Sequence, residues 1–273
     1  MSANPNTTGP GPAAVPETIV EFKNVWKRFS GKEILAGVNL QIRKGEILCV
    51  LGPSGTGKSV TLRHIIGLTH PDEGDVIVFG KSVVNLSEEA LAPVRRRAAM
   101  LFQGGALFDS MNVEQNVGFP LREHTTKTPR EIAETVAEKL SMVGLPGVQR
   151  KMPSELSGGM RKRVALARSI ALEPEIILYD EPTTGLDPLT SEKIGQLIVD
   201  INKRIKTTSI VVTHDIVMAR TVSDRLAFLH QGRFQFIGTF SEASRGGHPI
   251  LMEYFRSMGF PCGTGLIQVV KDL

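Results

Sequence analysis

Ile47-Leu48-Cys49-Val50-Leu51-Gly52-Pro53-Ser54-Gly55-Thr56-Gly57-Lys58-Ser59 is the stretch on which the fold turns. From Gly52 on, it meets the pattern G-x-x-x-x-G-K-[ST] at every constrained position. An apolar run precedes the pattern and Val60-Thr61-Leu62-Arg63 follows it, giving the order strand, glycine loop, helix. The glycines let backbone N–H groups turn inward around a phosphate, and the positive end of the helix adds to them. Lys58 is placed to reach β- and γ-phosphates, and Ser59 to offer its hydroxyl to Mg²⁺. The stretch predicts that Gly52, Pro53, Ser54, Gly55, Thr56, Gly57, Lys58 and Ser59 cradle a nucleoside triphosphate.

Outward from the loop, residues 19–25 alternate as a half-buried strand does, Lys27-Arg28-Phe29 follows, and a further strand is expected over 37–42. The helix after Ser59 is expected to stop near Gly67, and residues 76–79 return as a short strand closed by Gly80. Residues 84–150 read differently, as several helical stretches (129–143 among them) separated by Pro and Gly. From Ser154 helix and buried strand alternate again, with strands at 176–179, 209–213 and 226–229. Strands separated by helices imply a parallel sheet. The expected fold is therefore α/β: a P-loop NTPase core with a parallel sheet, an antiparallel β portion at the N-terminal end, and an inserted helical subdomain over about 84–160. No internal repeat is visible.

With 273 residues, 41% of them hydrophobic, the chain can bury a core of one large domain or a domain with a subdomain. A net charge of +4 suits anionic lipid or nucleotide nearby, and a solvated surface equally. Two cysteines, Cys49 and Cys262, make no disulfide framework, so a reducing compartment is expected. No apolar stretch approaches the ~18 residues that span a bilayer. No signal peptide is read at the N-terminus, and residues 1–17, rich in Pro, Gly, Ala, Asn and Thr, are expected to be disordered. Any membrane role then comes through a partner.

Asp180 and Glu181 end the apolar run Ile176-Ile177-Leu178-Tyr179. A carboxylate at the end of a buried strand is where a P-loop enzyme needs a second Mg²⁺ anchor, and the adjacent Glu181 is placed to polarise a water for attack on the γ-phosphate. Ser157-Gly158-Gly159 opens a second helical run, Val164-Ala165-Leu166-Ala167-Arg168, and makes a second anion-ready terminus. If that terminus cannot fold back onto the first, it serves the nucleotide of another copy.

These motifs, in this order, resemble the ATPase subunits of ABC transporters from about residue 18 to 245. The resemblance implies ATP with Mg²⁺ as the nucleotide cofactors. It places Phe29 where an aromatic stacks on adenine, and Gln103 of Leu101-Phe102-Gln103 where a loop glutamine touches Mg²⁺ and senses the membrane subunit. It makes Ser157-Gly158-Gly159 the signature that binds the γ-phosphate held by the partner copy. Asp187 of Gly185-Leu186-Asp187-Pro188 becomes part of the dimer-contacting loop, and His214 of Val212-Thr213-His214-Asp215 a switch histidine on the γ-phosphate. It thus casts Glu181, His214 and Gln103 as catalytic, and Ser59, Gln103 and Asp180 as metal ligands.

Met160 stands where a glutamine is usual, followed by Arg161-Lys162-Arg163. Together with Gly105-Ala106-Leu107-Phe108-Asp109-Ser110-Met111 and Phe119-Pro120-Leu121-Arg122-Glu123-His124, this resembles the ATPases serving Mce-type lipid transporters, including the Mla phospholipid system. That resemblance implies a homodimer at the inner face of the cytoplasmic membrane, working with permease subunits, a Mce-domain lipid-binding protein and a small regulatory subunit. No nucleic-acid partner is expected. A small-solute importer and a soluble ABC-type switch remain the alternatives. Arg95-Arg96-Arg97 reads either as a patch for headgroups or an acidic partner, or as a solvated helix face. In the tail 246–273, Met252-Glu253-Tyr254-Phe255-Arg256 reads as an amphipathic helix end, which either reaches a partner or caps the domain.

Overall fold

The computed structural model describes residues 16–246 and 248–261. The expected N-terminal disorder (apart from Pro16 and Glu17) and Cys262 lie outside the described residues. The chain builds two sheets. The first is antiparallel and comprises β1 (Thr18–Phe29), β2 (Lys32–Arg43), β4 (Glu73–Val78) and β5 (Lys81–Ser82), in the order β2-β1-β4-β5. The second contains β3 (Ile47–Leu51), β6 (Ala98–Leu101), β7 (Ile176–Asp180), β8 (Thr208–Thr213), β9 (Arg225–His230) and β10 (Arg233–Gly238). Its order is β10-β9-β3-β8-β7-β6, parallel throughout except where β10 turns back on β9.

All five residues of β3 are buried, as a central parallel strand requires, since both faces of its sheet are covered. The period of two assigns those faces. Leu48, Val50, Ile176, Leu178, Ile210 and Val212 join Phe22, Leu40 and Val78 of the antiparallel sheet in one core. Ile47, Ile177, Tyr179 and Val211 face the other way, into a core shared with helices α3 (Val113–His124), α4 (Pro129–Met142), α5 (Gly158–Ser169) and α6 (Pro188–Ile205). Each fully buried Leu, Ile or Val contributes roughly 1.5–3 kcal/mol, so slipping β3 by one residue would misplace both cores together.

Helix boundaries follow their caps. Thr128 and Glu131 form a capping box at α4, with Pro129 at the first turn, and Asn112 and Gln115 form another at α3. A third apolar cluster, containing Phe228, Leu251 and Phe255, seats α9 (Pro249–Ser257) against the edge of the parallel sheet.

Two features differ from the sequence reading. The helical stretch from residue 84 is interrupted: after α2 (Glu88–Arg97) the chain re-enters the parallel sheet as β6, paired with β7. Strand β2 is also longer than 37–42, and β1 carries Phe29 at its end, paired with Lys32. Both miss the alternation rule because β1 shifts register at several points along its pairing with β2.

Candidate active site

The carboxyl ends of three adjacent strands, β3, β8 and β7, carry the site. Leu51 of β3 lies opposite Thr213 of β8, and Val212 lies opposite Asp180 of β7. The loops that follow begin at Gly52, His214 and Glu181, so residues 52, 181 and 214 share one end of the sheet. This is the crevice where open α/β sheets take ligands.

The glycine loop is held by shape. A Cβ on Gly52 would stand 2.2 Å from the carbonyl oxygen of Leu229, and Gly57, at φ 100°, would press on Ile34 at 2.9 Å. Helix α1 (Lys58–Ile65) starts directly after Gly57, with no side-chain cap, so its first backbone N–H groups point into the loop. That uncapped, glycine-lined terminus fits a phosphate.

Around it the predicted side chains converge. Lys58, only 5% exposed, donates to the carbonyls of Gly52 at 2.9 Å and Pro53 at 3.0 Å and lies 3.5 Å from Glu181 Oε1. Burial holds its pKa below the usual lysine range, with the charges of Glu181 and Asp180 opposing that shift. Ser59 Oγ donates to Asp180 Oδ1 at 2.6 Å. A hydroxyl already paired with a carboxylate is the donor set that a hard cation takes, so Ser59 and Asp180 fit Mg²⁺. His214 Nδ1 lies 2.8 Å from Glu181 Oε2. A carboxylate only accepts, so Nδ1 carries the proton and Nε2 is the acceptor of the neutral ring.

The remaining predicted residues stand outside those contacts and make contacts of their own. Gln103 is exposed, and its backbone carbonyl accepts from Lys162 of α5. Phe29 is 46% exposed, with Lys27 Nζ 5.2 Å from its ring centre. Ser157 caps α5 through the Met160 N–H at 3.3 Å. A Cβ on Gly158 would meet Leu186, and one on Gly159 would meet Thr190, so this terminus sits against the start of α6. Asp187 caps α6, accepting from the Thr190 backbone at 3.0 Å and its hydroxyl at 2.6 Å.

A family model for ABC transporters matches residues 35–184, from β2 through the loop after β7. The chain belongs to the ABC transporter family. It is an ATP-binding, ATP-hydrolysing subunit of that family. It is 43% identical over 206 residues to the intermembrane phospholipid transport system ATP-binding protein MlaF of Escherichia coli (strain K12), covering 76% of this chain and 77% of that one. It is 44% identical over 235 residues to the probable ribonucleotide transport ATP-binding protein mkl of Mycobacterium tuberculosis (strain H37Rv), covering 86% of this chain and 66% of that protein's length. A dimeric ATP-binding cassette solved in a post-hydrolysis state with ADP and Pi superimposes with a TM-score of 0.74 at 36% identity, over 81% of this chain and 98% of that one.

Two residues near this ATPase's site carry no motif signal of their own. Lys162 reads in sequence only as part of a basic run, yet it is buried and donates to the Gln103 carbonyl; burial lowers its pKa, with the charges of Asp180 and Glu181 opposing. Tyr254 lies in the C-terminal stretch and donates to the His214 carbonyl at 2.9 Å. The rest of the basic run ties helices together: Arg161 donates to Leu156 O and Arg163 to Gly144 O. Arg95 donates to Ile66 O, and Arg97 packs 3.7 Å from the Phe79 ring and pairs with Glu175.

Proposed function

We propose that this chain powers the movement of phospholipid between membranes, hydrolysing ATP while docked on a separate permease. The observation that carries the engine is the convergence of Lys58, Ser59, Asp180, Glu181 and His214 on one loop. The cargo rests on the likeness to MlaF over three quarters of the chain. In this reading Lys58 balances the phosphate charge, and Ser59 with Asp180 would hold Mg²⁺, which would supply charge neutralisation at the γ-phosphate. Glu181 holds the attacking water in line, and His214, fixed by Glu181, meets the γ-phosphate.

Ser157-Gly158-Gly159 packs on α6, which leaves its N–H groups for the nucleotide of a second copy. A closed dimer then buries two ATP molecules, each between one glycine loop and the other copy's α5. Closure holds ATP better than the open state does, so binding drives the motion and hydrolysis resets it. Phe29 stacks on the base, Asp187 positions the loop at the dimer contact, and Gln103 reports on the metal. Among the described residues no helix is long and apolar enough to cross a membrane, so docking on permease subunits brings the chain to the inner face of the membrane. The docking place is a groove of about 430 Å³ lined by Arg95, Arg96, Phe102, Phe108, Phe119 and Arg168, between β6 and the inserted helices. A Mce-domain protein and a small regulatory subunit complete the assembly.

The mkl likeness favours a second reading, in which the same engine moves a ribonucleotide. Gentle purification of the tagged chain from native membranes, with mass spectrometry of co-purifying polypeptides and bound small molecules, decides. A permease with a Mce-domain protein and phospholipid upholds the proposal. A permease with a solute-binding protein and nucleotide cargo moves it to the second reading, and ribosomal or DNA-bound partners without a permease overturn both.

A further inference from the structure

The loop carrying His214 is pinned on its chain-forward side by its own cap: Asp215 accepts from the N–H groups of Val217 at 2.8 Å and Met218 at 3.1 Å. Behind it, the Thr213 hydroxyl accepts the Asp215 N–H at 3.0 Å. The carbonyl of His214 itself is held from a different part of the molecule, by the Tyr254 hydroxyl 40 residues further along the chain, at 2.9 Å. That hydroxyl stands on α9, and α9 is not free to drift. Phe255 is fully buried against Phe240 and Phe260, with ring centres 5.7 and 5.5 Å away, and the Tyr254 ring lies 5.3 Å from Phe228 of β9.

We propose that Tyr254 is a positioning residue for hydrolysis, fixing the His214 backbone from α9 so that the imidazole stays registered on Glu181. The chain of contacts runs from the C-terminal helix through Tyr254 to His214, and from His214 Nδ1 to Glu181 Oε2 at 2.8 Å. The inference rests on the role given to His214 above, and it makes the C-terminal helix, which lies beyond the matched family region, part of the hydrolytic machinery. Burial, reinforced by the charges of Glu181 and Asp215, pushes the Tyr254 phenol up to about 12, so it remains a donor across the working range.

A side chain that merely anchored α9 would matter through its ring, whereas a positioning role needs the hydroxyl. Tyr254→Phe separates the two, because the ring and its packing on Phe228 stay. The full-length chain in its native membrane assembly is assayed by steady-state and single-turnover hydrolysis of γ-labelled ATP. Tyr254→Phe is expected to lower kcat about three- to tenfold, the worth of one net hydrogen bond. KM for ATP should hold within about twofold and the melting temperature within about 3 °C. In a His214→Ala background, read by single turnover, the same change is expected to have no further effect, because the group it positions is gone. A wild-type rate for Tyr254→Phe overturns the proposal, as does an undiminished loss in the His214→Ala background. His214→Ala alone hydrolysing at the wild-type rate overturns instead the reading of His214 on which the proposal stands.

Discussion

Glu181→Gln tests the centre of the mechanism, and the structure says what the change does atom by atom. The wild-type carboxylate serves two neighbours at once: Lys58 Nζ 3.5 Å from Oε1, and His214 Nδ1 2.8 Å from Oε2. An amide of the same shape has only one acceptor oxygen. It can keep that oxygen on Lys58 only by turning its NH₂ toward His214 Nδ1, which must then become an acceptor. The imidazole proton moves to Nε2 at little cost, and the fold survives. What is lost is the charge assistance to a buried Lys58, about 1–2 kcal/mol, which for a domain of this size lowers the melting temperature by roughly 2–5 °C. Hydrolysis loses its base or water-orienting group, which is worth about 10²- to 10⁴-fold, or roughly 3–5.5 kcal/mol of barrier. ATP affinity should hold, because Lys58 keeps its hydrogen bonds to Gly52 and Pro53, and Ser59 and the glycine loop are unchanged. The assays are steady-state phosphate release, equilibrium binding of ATP, and ¹⁵N–¹H spectra of the histidine ring to read the tautomer. Hydrolysis within about threefold of wild type would refute the role of Glu181. An unchanged His214 tautomer would refute the geometry from which the effect was worked.

Three further outcomes are expected. Gly52→Ala drives a Cβ into the Leu229 carbonyl, a backbone atom that no rotamer change can move aside, so ATP affinity should fall more than tenfold by equilibrium binding. Gly55→Ala, with nothing within 4 Å of the added carbon, should lose only the roughly 1 kcal/mol of its left-handed backbone, read as a far smaller change in the same assay. Phe108→Asp replaces an exposed ring that packs 5.0 Å from Phe119 beneath Arg168; co-purification of the membrane subunits should be lost while ATP affinity in solution holds within about twofold. Lys162→Met keeps the packed stem but removes the donor to Gln103, and phosphate release should fall about three- to tenfold with little change in ATP binding.

What was legible in the sequence was what is local. The glycine loop, its strand and its helix lie within twenty residues, and Asp180-Glu181 closes a run of four buried apolar residues, so motif and burial pattern point the same way. Strand β6 escaped because Ala98-Ala99-Met100-Leu101 is four residues long, follows directly from a basic helix, and becomes a strand only by pairing with β7 some 78 residues on. No period can be read from four residues, and the partner supplies the conformation. Phe29 ends strand β1, and the alternation stops being legible near residue 25 because the pairing of β1 with β2 shifts register from there on. Lys162 and Tyr254 contact Gln103 and His214 through backbone carbonyls, which accept from any donor and leave no side-chain signature for a motif to record.

The pair Asp180-Glu181 also shows why the site needs a break in regular structure. Successive side chains of a strand point to opposite faces of its sheet, so two adjacent carboxylates cannot both serve one loop from a regular β7. Asp180, the last residue of β7, takes Ser59; Glu181, one step on, reaches back to Lys58, the neighbour of Ser59, and to His214. Its backbone makes this possible by adopting φ 48°, left-handed for a residue with a Cβ, at a cost of about 1–2 kcal/mol. Two hydrogen bonds hold it there: its N–H donates to Val212 O at 3.0 Å, and its carbonyl accepts from Thr184 N–H at 3.3 Å. The first of these comes from β8, the strand that also delivers His214. The same backbone bond that sustains the strained conformation therefore ties the carboxylate to the strand carrying its histidine partner, so the relative positions of Glu181 and His214 are set by the sheet rather than by either loop alone.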